Sequence, residues 1–198
     1  MDAALEAASL AGIPSISVAP NQGRLLAILA KAVRARAPCW RSGPTRYRAL
    51  WLAHALPKDG KLLSLEANAD HARVARQHRA WPAHERHPGA RRPCAGVAPR
   101  ACEADASDVR LLFSRRRQTE QPAYFESDLR PAHSGSLIVF DNVVRDGAIL
   151  RADAADENVR GVPECNSLMA ANPHVMATAL YKVGIKGYDG LIRALVTG

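Results

Sequence analysis

The stretch that most constrains the fold is Ser134–Leu150, in which a short apolar run precedes an acid and an amide. Leu137–Phe140 reads Leu-Ile-Val-Phe, which predicts a strand buried on both faces. Asp141 and Asn142 follow directly. Ligands of open α/β sheets bind beyond the carboxyl ends of strands, and these side chains offer oxygen ligands suited to Mg²⁺ or Ca²⁺. The alternative is a plain turn, because Asp-Asn also favours turns.

Helical and strand patterns alternate along the chain, which predicts an α/β fold. The predicted strands are Lys61–Glu66, Asp108–Phe113, Leu137–Phe140, His174–Tyr181 and Leu191–Val196. The predicted helices are Asp2–Ala11, Gln22–Arg36 with Asn21 as its N-cap, Ala49–Leu56, Ala69–Arg79, Pro122–Leu129 and Ala154–Ala171. A short turn, Gly184–Gly190, joins the last two strands, so an antiparallel hairpin at a sheet edge is expected.

Length and charge narrow the function classes. The chain has 198 residues, 47% of them hydrophobic, so a single domain over residues 1–198 with a sizeable core is expected. No apolar run is long enough to cross a membrane, no secretory signal is expected, and the four Cys show no zinc spacing. A reduced, cytoplasmic protein is therefore expected. The net charge of +8 favours an anionic partner, but nine Arg lie within residues 79–118 and five within Arg34–Arg48.

Three stretches together resemble one enzyme family. They are Ser134–Leu150, Asn166–Asn172 and Val183–Leu191, the last of which contains the run Gly-Ile-Lys-Gly-Tyr-Asp-Gly-Leu. They resemble the cation-dependent, S-adenosylmethionine-dependent O-methyltransferases of the catechol and caffeoyl-CoA type. The resemblance implies a Rossmann-like sandwich with a mostly parallel sheet, helices on both faces and an antiparallel hairpin at the C-terminal edge. It also implies S-adenosylmethionine as methyl donor, Mg²⁺ or another divalent cation, and a small hydroxyl acceptor.

The resemblance also implies site residues. It assigns cofactor contacts to Ile16, Val18, Gly43, Tyr47 and Glu66, and the metal to Asp141 and Asn142. For Ile16 and Val18, simple core packing is an equally open alternative. Glu66 has a physical reason as well, because a carboxylate ending the second strand can accept hydrogen bonds from ribose hydroxyls, although such acids are commonly just solvated. Arg48 stands where the family has the Ser after Tyr47, and no residue is assigned as the catalytic base.

Two segments depart from the family pattern. Ala37–Arg48 should hold the first strand and a glycine-rich loop, yet this segment and Ala80–Ala106 lack apolar periodicity, so both are expected to be irregular or poorly packed. With suitable codons, reading Pro38–Gly43 from the last base of the Pro codon gives Val-Leu-Glu-Ile-Gly, like the family's first strand. Dropping one base from Arg115–Gln118 gives Asp-Ala-Asp-Lys, like its metal- and base-bearing segment. We therefore hypothesise that residues 37–48 and residues 79–118, which include Arg115–Gln118, are frame-shifted, which implies an impaired enzyme.

Three functions remain open from the sequence. The first is an S-adenosylmethionine-dependent O-methyltransferase, impaired in this chain, that acts on a catechol-like or hydroxycinnamoyl-like acceptor. The second is a catalytically dead scaffold with the same fold. The third is a basic nucleic-acid-binding protein that uses the Arg block Arg115–Arg117, but aromatic content is 5% and no stacking pattern accompanies the Arg residues. We expect no membrane or nucleic-acid partner, and a homodimer is open.

Overall fold

A computed structural model describes residues 20–42, 47–60, 62–66, 93–95, 109–115, 118–145, 147–150, 157–184 and 187–198. The expected helices Asp2–Ala11 and Ala69–Arg79 lie outside these ranges. The described helices are α1 (Pro20–Ala32), α2 (Tyr47–Ala55), α3 (Gln121–Leu129) and α4 (Glu157–Ala171), with short 3-10 turns at Gln118–Glu120 and Ala148–Leu150. The described strands are β1 (Cys39–Ser42), β2 (Leu63–Glu66), β3 (Pro93–Ala95), β4 (Leu111–Arg115), β5 (Leu137–Asp141), β6 (Val175–Gly184) and β7 (Gly187–Val196).

The strands form one seven-stranded sheet in the order β3-β2-β1-β4-β5-β7-β6. β3, β2, β1, β4 and β5 are parallel, whereas β7 is antiparallel to both β5 and β6. This is the mostly parallel sheet with a C-terminal antiparallel hairpin that the sequence predicts, so the Rossmann-like α/β fold class is confirmed. The strand order reverses between β1 and β4, and such a reversal opens a crevice at the carboxyl ends of the strands.

The central strands bury both faces because successive side chains point to opposite sides of a sheet. From β5, Leu137 and Val139 pack with α1 and α2 residues such as Leu26 and Leu52. The intervening Ile138 packs with apolar residues of α3 and α4 on the other face. Helices therefore cover both faces of the sheet, and the uninterrupted apolar run of β5, all of it buried, follows from that position.

Helix α1 differs from the sequence expectation at both ends. It begins at Pro20, so Asn21 lies inside the helix and is not its N-cap, and it ends at Ala32 rather than Arg36. The stop has a physical cause in the backbone. Arg34 has a φ of 51°, and the Ala35 N–H donates to the Ala30 carbonyl oxygen at 2.9 Å, a pattern that closes a helix with a left-handed residue.

Strand β1 contradicts the expectation that Ala37–Arg48 is irregular. Cys39–Ser42 forms a regular strand that pairs in parallel with β2 on one side and β4 on the other, and Cys39 is buried. The reason is tertiary context, because a strand between two partners gains backbone hydrogen bonds on both edges whatever its side-chain pattern. Helix α2 then starts at Tyr47, close to the expected Ala49.

Two other expectations need partial correction. The segment Ala80–Ala106 was expected to be irregular, but Pro93–Ala95 within it pairs in parallel with β2 as strand β3; the rest of the segment lies outside the described residues. The turn expected at Gly184–Gly190 is shorter, since strand β7 already begins at Gly187, which pairs with Gly184. Arg115, the first residue of the Arg block Arg115–Arg117, is the last residue of β4.

Candidate active site

Four parallel strands end at one edge of the sheet. Ser42, the last residue of β1, is in register with Arg115 of β4, and Asp141 of β5 follows the residue that pairs with Ser114. Glu66 ends β2, the neighbour of β1 on the other side. The backbone therefore brings Glu66, Arg115 and Asp141 to the edge where ligands of such sheets bind.

The charged side chain of Asp141 is enclosed at this edge. It is fully buried, and its Oδ1 accepts a hydrogen bond from Gln22 Nε2 at 2.8 Å and from its neighbour's backbone N–H at 2.9 Å. The Lys182 ammonium forms a salt bridge with the same oxygen. Gln22 belongs to the first turn of α1, whose positive end also favours a carboxylate. The Asp141 carboxylate is thus compensated by groups from α1 and β6.

Asn142 adopts a left-handed backbone conformation, with a φ of 63°, which asparagine tolerates better than most residues. Its side-chain amide lies 3.1 Å from both carboxylate oxygens of Asp141. With the amide nitrogen toward the carboxylate, Asn142 donates to both oxygens, and this orientation satisfies both groups. The Asp-Asn pair, which the sequence leaves open as a metal pair or a turn, is here a hydrogen-bonded unit.

Asp189 organises the loop that follows the Asp-Asn pair. Its Oδ1 accepts hydrogen bonds from the backbone N–H groups of Val144 and Arg145, both at 2.9 Å, and of Gly190 at 2.7 Å. Gly190 also has a steric role, because a Cβ there would lie 2.4 Å from Val144 Cγ2. Asp189 and Gly190 belong to the Tyr-Asp-Gly run, which carries part of the family resemblance but has no role assigned from the sequence. In the structure, these two residues hold the backbone of the loop that follows Asn142.

The described residues do not fit a divalent cation well. Within the described ranges, no group of three His, Cys, Asp or Glu side chains lies close enough to hold a metal ion. The Asp141 carboxylate is surrounded by donors, one of them the ammonium of Lys182, whereas Mg²⁺ and Ca²⁺ need several oxygen ligands. At the neighbouring strand end stands Arg115, where the family resemblance leads one to expect an acid.

The sequence-predicted cofactor residues have mixed outcomes. Ile16, Val18 and Gly43 lie outside the described residues. Tyr47 is the first residue of α2, and Glu66 is the last residue of β2, so the backbone places Glu66 at the sheet edge where a ribose-binding acid is expected. The roles of all five remain predictions.

Gln22 and Lys182 are the site residues that sequence reasoning missed. They are 119 and 41 residues away from Asp141 in the chain, and neither lies in a motif. The predicted C-terminal hairpin was a signal for Lys182 only. Side chains alternate between the two sheet faces along β6 and β7, and this alternation determines which of them share the face of Asp141. Using that signal required the strand register, which the sequence does not supply.

Comparisons with known proteins agree with this fold. Residues 4–192 match the model of a family described as O-methyltransferase. The catechol O-methyltransferase of Niastella koreensis is 35% identical over 195 residues, which are 98% of this chain and 88% of that protein. The catechol O-methyltransferase of Mycobacterium tuberculosis is 33% identical over 196 residues, covering 98% of this chain and 87% of that protein.

Solved structures give the same result in three dimensions. The Bacillus cereus O-methyltransferase in complex with SAH superimposes with a TM-score of 0.90 and 33% identity, covering 99% of this chain and 90% of that one. TomG from Streptomyces achromogenes, an O-methyltransferase of tomaymycin synthesis solved with SAM, superimposes with a TM-score of 0.89 and 31% identity. The match covers 100% of this chain and 89% of that one. Within the described residues, no helix is both long and apolar enough to span a membrane. The chain belongs to the O-methyltransferase family.

Proposed function

We propose that this chain binds S-adenosylmethionine and transfers its methyl group to a hydroxyl of a small catechol-like or hydroxycinnamoyl-like acceptor. The observation that carries the proposal is the match to the SAH complex from Bacillus cereus, with a TM-score of 0.90 over 99% of this chain. The names of two relatives, both catechol O-methyltransferases, support the acceptor class. S-adenosylmethionine supplies the methyl group and its sulfonium leaving group.

The proposed binding site lies across the carboxyl ends of β1, β2, β4 and β5. Glu66 at the end of β2 holds the ribose hydroxyls, while Ile16, Val18, Gly43 and Tyr47 border the rest of the cofactor. The acceptor lies toward the end of β5, where Asp141 is buried. The role of the protein is then to hold the acceptor hydroxyl in line with the methyl group, which alone lowers the barrier to transfer.

Three features of the chain argue against divalent-cation assistance and against full activity. Asp141 and Asn142 remain the candidate metal ligands, but donor groups already surround the carboxylate. No acid stands at Arg115–Gln118 to complete a ligand set, and Arg48 replaces a small hydroxyl next to Tyr47. We therefore propose that methyl transfer by this chain is slow.

The proposal includes a homodimer. Its support is the outer strand β6, which has a neighbour on one side only. Several large apolar residues on this strand are exposed, namely Met176, Leu180, Tyr181 and Val183. Exposed apolar strand edges are commonly covered in assemblies, because they otherwise promote unwanted pairing.

Calorimetric titration with S-adenosylmethionine tests the function. We expect saturable but weak binding, with a dissociation constant of roughly 0.1–1 mM, because a bulky Arg48 replaces a serine beside the cofactor. Glu66→Gln should weaken binding about tenfold or more, since a charged hydrogen-bond acceptor is lost. The matched control is Glu126→Gln, because Glu126 is exposed on α3 and is not one of the proposed site residues.

The same titration decides between the proposal and the scaffold alternative. If the chain shows no saturable heat of binding, it retains the fold without the cofactor, and the dead scaffold is the correct description. If Glu66→Gln and Glu126→Gln bind equally well, the assignment of the ribose contact is wrong even though binding occurs.

A further inference from the structure

We propose that the ammonium group of Lys182 takes the place of a divalent cation at Asp141, so that this chain neither binds nor needs such a cation at the Asp141–Asn142 pair. The proposal deepens the proposed function and rests on it only for the activity readout. Its structural part, the competition between Lys182 and a cation for one carboxylate, can be tested whether or not the chain transfers methyl groups.

Strand register explains how Lys182 reaches Asp141. Leu191 of β7 lies opposite both Asp141 of β5 and Leu180 of β6. Lys182 is two residues beyond Leu180, and residues two apart share a sheet face. Lys182 and Asp141 therefore lie on the same face, two strands apart, and the long lysine side chain crosses β7 to form the salt bridge.

Burial gives the pair its importance. The Asp141 side chain is 0% exposed, whereas the Lys182 side chain remains 23% exposed. An ionised carboxylate with no opposite charge is costly to bury, and the cost falls when it is paired and hydrogen-bonded. Lys182 supplies the charge, and Gln22 together with the backbone N–H of Asn142 donates hydrogen bonds to the same oxygen.

A divalent cation and Lys182 exclude each other at this carboxylate. Both would neutralise the single negative charge of the Asp141 carboxylate, and two positive groups within a few ångströms repel strongly where little water screens them. With its amide nitrogen toward both carboxylate oxygens, the Asn142 side chain presents a hydrogen-bond donor to Asp141 and turns its oxygen ligand away from that carboxylate. A cation can therefore bind only after Lys182 has been displaced, and the described ranges contain no group of three acidic, His or Cys side chains that would repay this displacement.

The test measures thermal unfolding with EDTA or with 5 mM MnCl₂ for four chains: the unaltered chain, Lys182→Met, Lys182→Arg and Lys58→Met. Met has a similar length to Lys without its charge, and Lys58 is an exposed lysine on a turn that serves as the control. We expect Mn²⁺ to leave the melting temperature of the unaltered chain, Lys182→Arg and Lys58→Met unchanged. Lys182→Met should melt several degrees lower in EDTA and regain about 2–4 °C with Mn²⁺.

Each outcome decides the proposal. A Mn²⁺-dependent rise in the unaltered chain would show that a cation binds beside Lys182 and would overturn it. The absence of a rise in Lys182→Met would reduce the pair to an ordinary structural salt bridge and overturn it equally. If S-adenosylmethionine binds in the calorimeter, the methyl-transfer rate should be the same in EDTA and in Mg²⁺. If it does not bind, the proposed function fails, while the Mn²⁺ comparison still decides the charge competition.

Discussion

At the scale of single residues, Cys165 shows how burial alone removes a reactive group. Its side chain is fully buried on α4, and this burial raises the pKa of the thiol from 9.0 to about 12, with further contributions from the negative charges of Asp128 and Glu164. Because the thiolate is the nucleophilic form, the folded chain presents an inert thiol at neutral pH. Cys165 therefore has no part in the proposed chemistry.

The raised pKa of Cys165 predicts a loss of stability in alkali. Below about pH 9 the thiol is protonated in the folded and in the unfolded chain, so its contribution to the free energy of unfolding is fully present. Between about pH 9 and 12 the unfolded thiol loses its proton while the folded thiol keeps it, and the free energy of unfolding falls by up to about 1.4 kcal/mol per pH unit. Urea denaturation at pH 8 and 10.5 should show a steeper fall for the unaltered chain than for Cys165→Ala. An equal fall in stability between the two pH values for both chains would contradict the raised pKa of Cys165.

At the scale of elements, Asp189 joins β7 to the loop after β5 through the backbone N–H groups of Val144 and Arg145, and it also accepts from the N–H of Gly190 in β7. Asp189→Ala should lower the free energy of unfolding by about 2–4 kcal/mol, because hydrogen bonds to a charged group are lost and their donors are left unpaired. Asp189→Asn should cost less, since one oxygen acceptor remains. The control is Asp59→Ala, which removes an exposed ion pair with Arg36 and should change stability by less than about 1 kcal/mol. Urea denaturation measures all three, and equal losses for both alanine variants would refute the role of Asp189.

The same scale shows what the sequence could predict. Strands β2 and β5, helix α2 and the C-terminal hairpin were expected because their apolar patterns are local. Strand β1 was not, because Cys-Trp-Arg-Ser has no strand alternation and its pairing depends on neighbours that lie far along the chain. The same difference holds for the candidate site. Asp141 could be predicted because it ends a recognisable strand, whereas the contact with Lys182 depends on the register of two later strands, β6 and β7.

At the scale of the whole molecule, the net charge of +8 does not require a nucleic-acid function. Much of the excess lies in the two segments rich in Arg that depart from the family pattern. The match to an O-methyltransferase family over residues 4–192 makes a small-molecule reaction the better account of the fold. The hypothesis that these segments are frame-shifted explains the charge without assigning it a function.

The last prediction restores both segments and measures methyl transfer to a catechol. The restored chain carries Cys39→Val, Trp40→Leu, Arg41→Glu and Ser42→Ile, together with Arg115→Asp, Arg116→Ala, Arg117→Asp and Gln118→Lys. Arg115 lies at a strand end beside that of Asp141, so the change replaces a cation by an acid at the proposed site. Loss of one key electrostatic contact typically slows an enzyme by about 10²–10³. We therefore expect the restored chain to be at least about 100-fold faster, with the first four substitutions alone giving a smaller gain. Equal rates would mean that these segments do not limit activity and that the frame-shift hypothesis does not explain this chain.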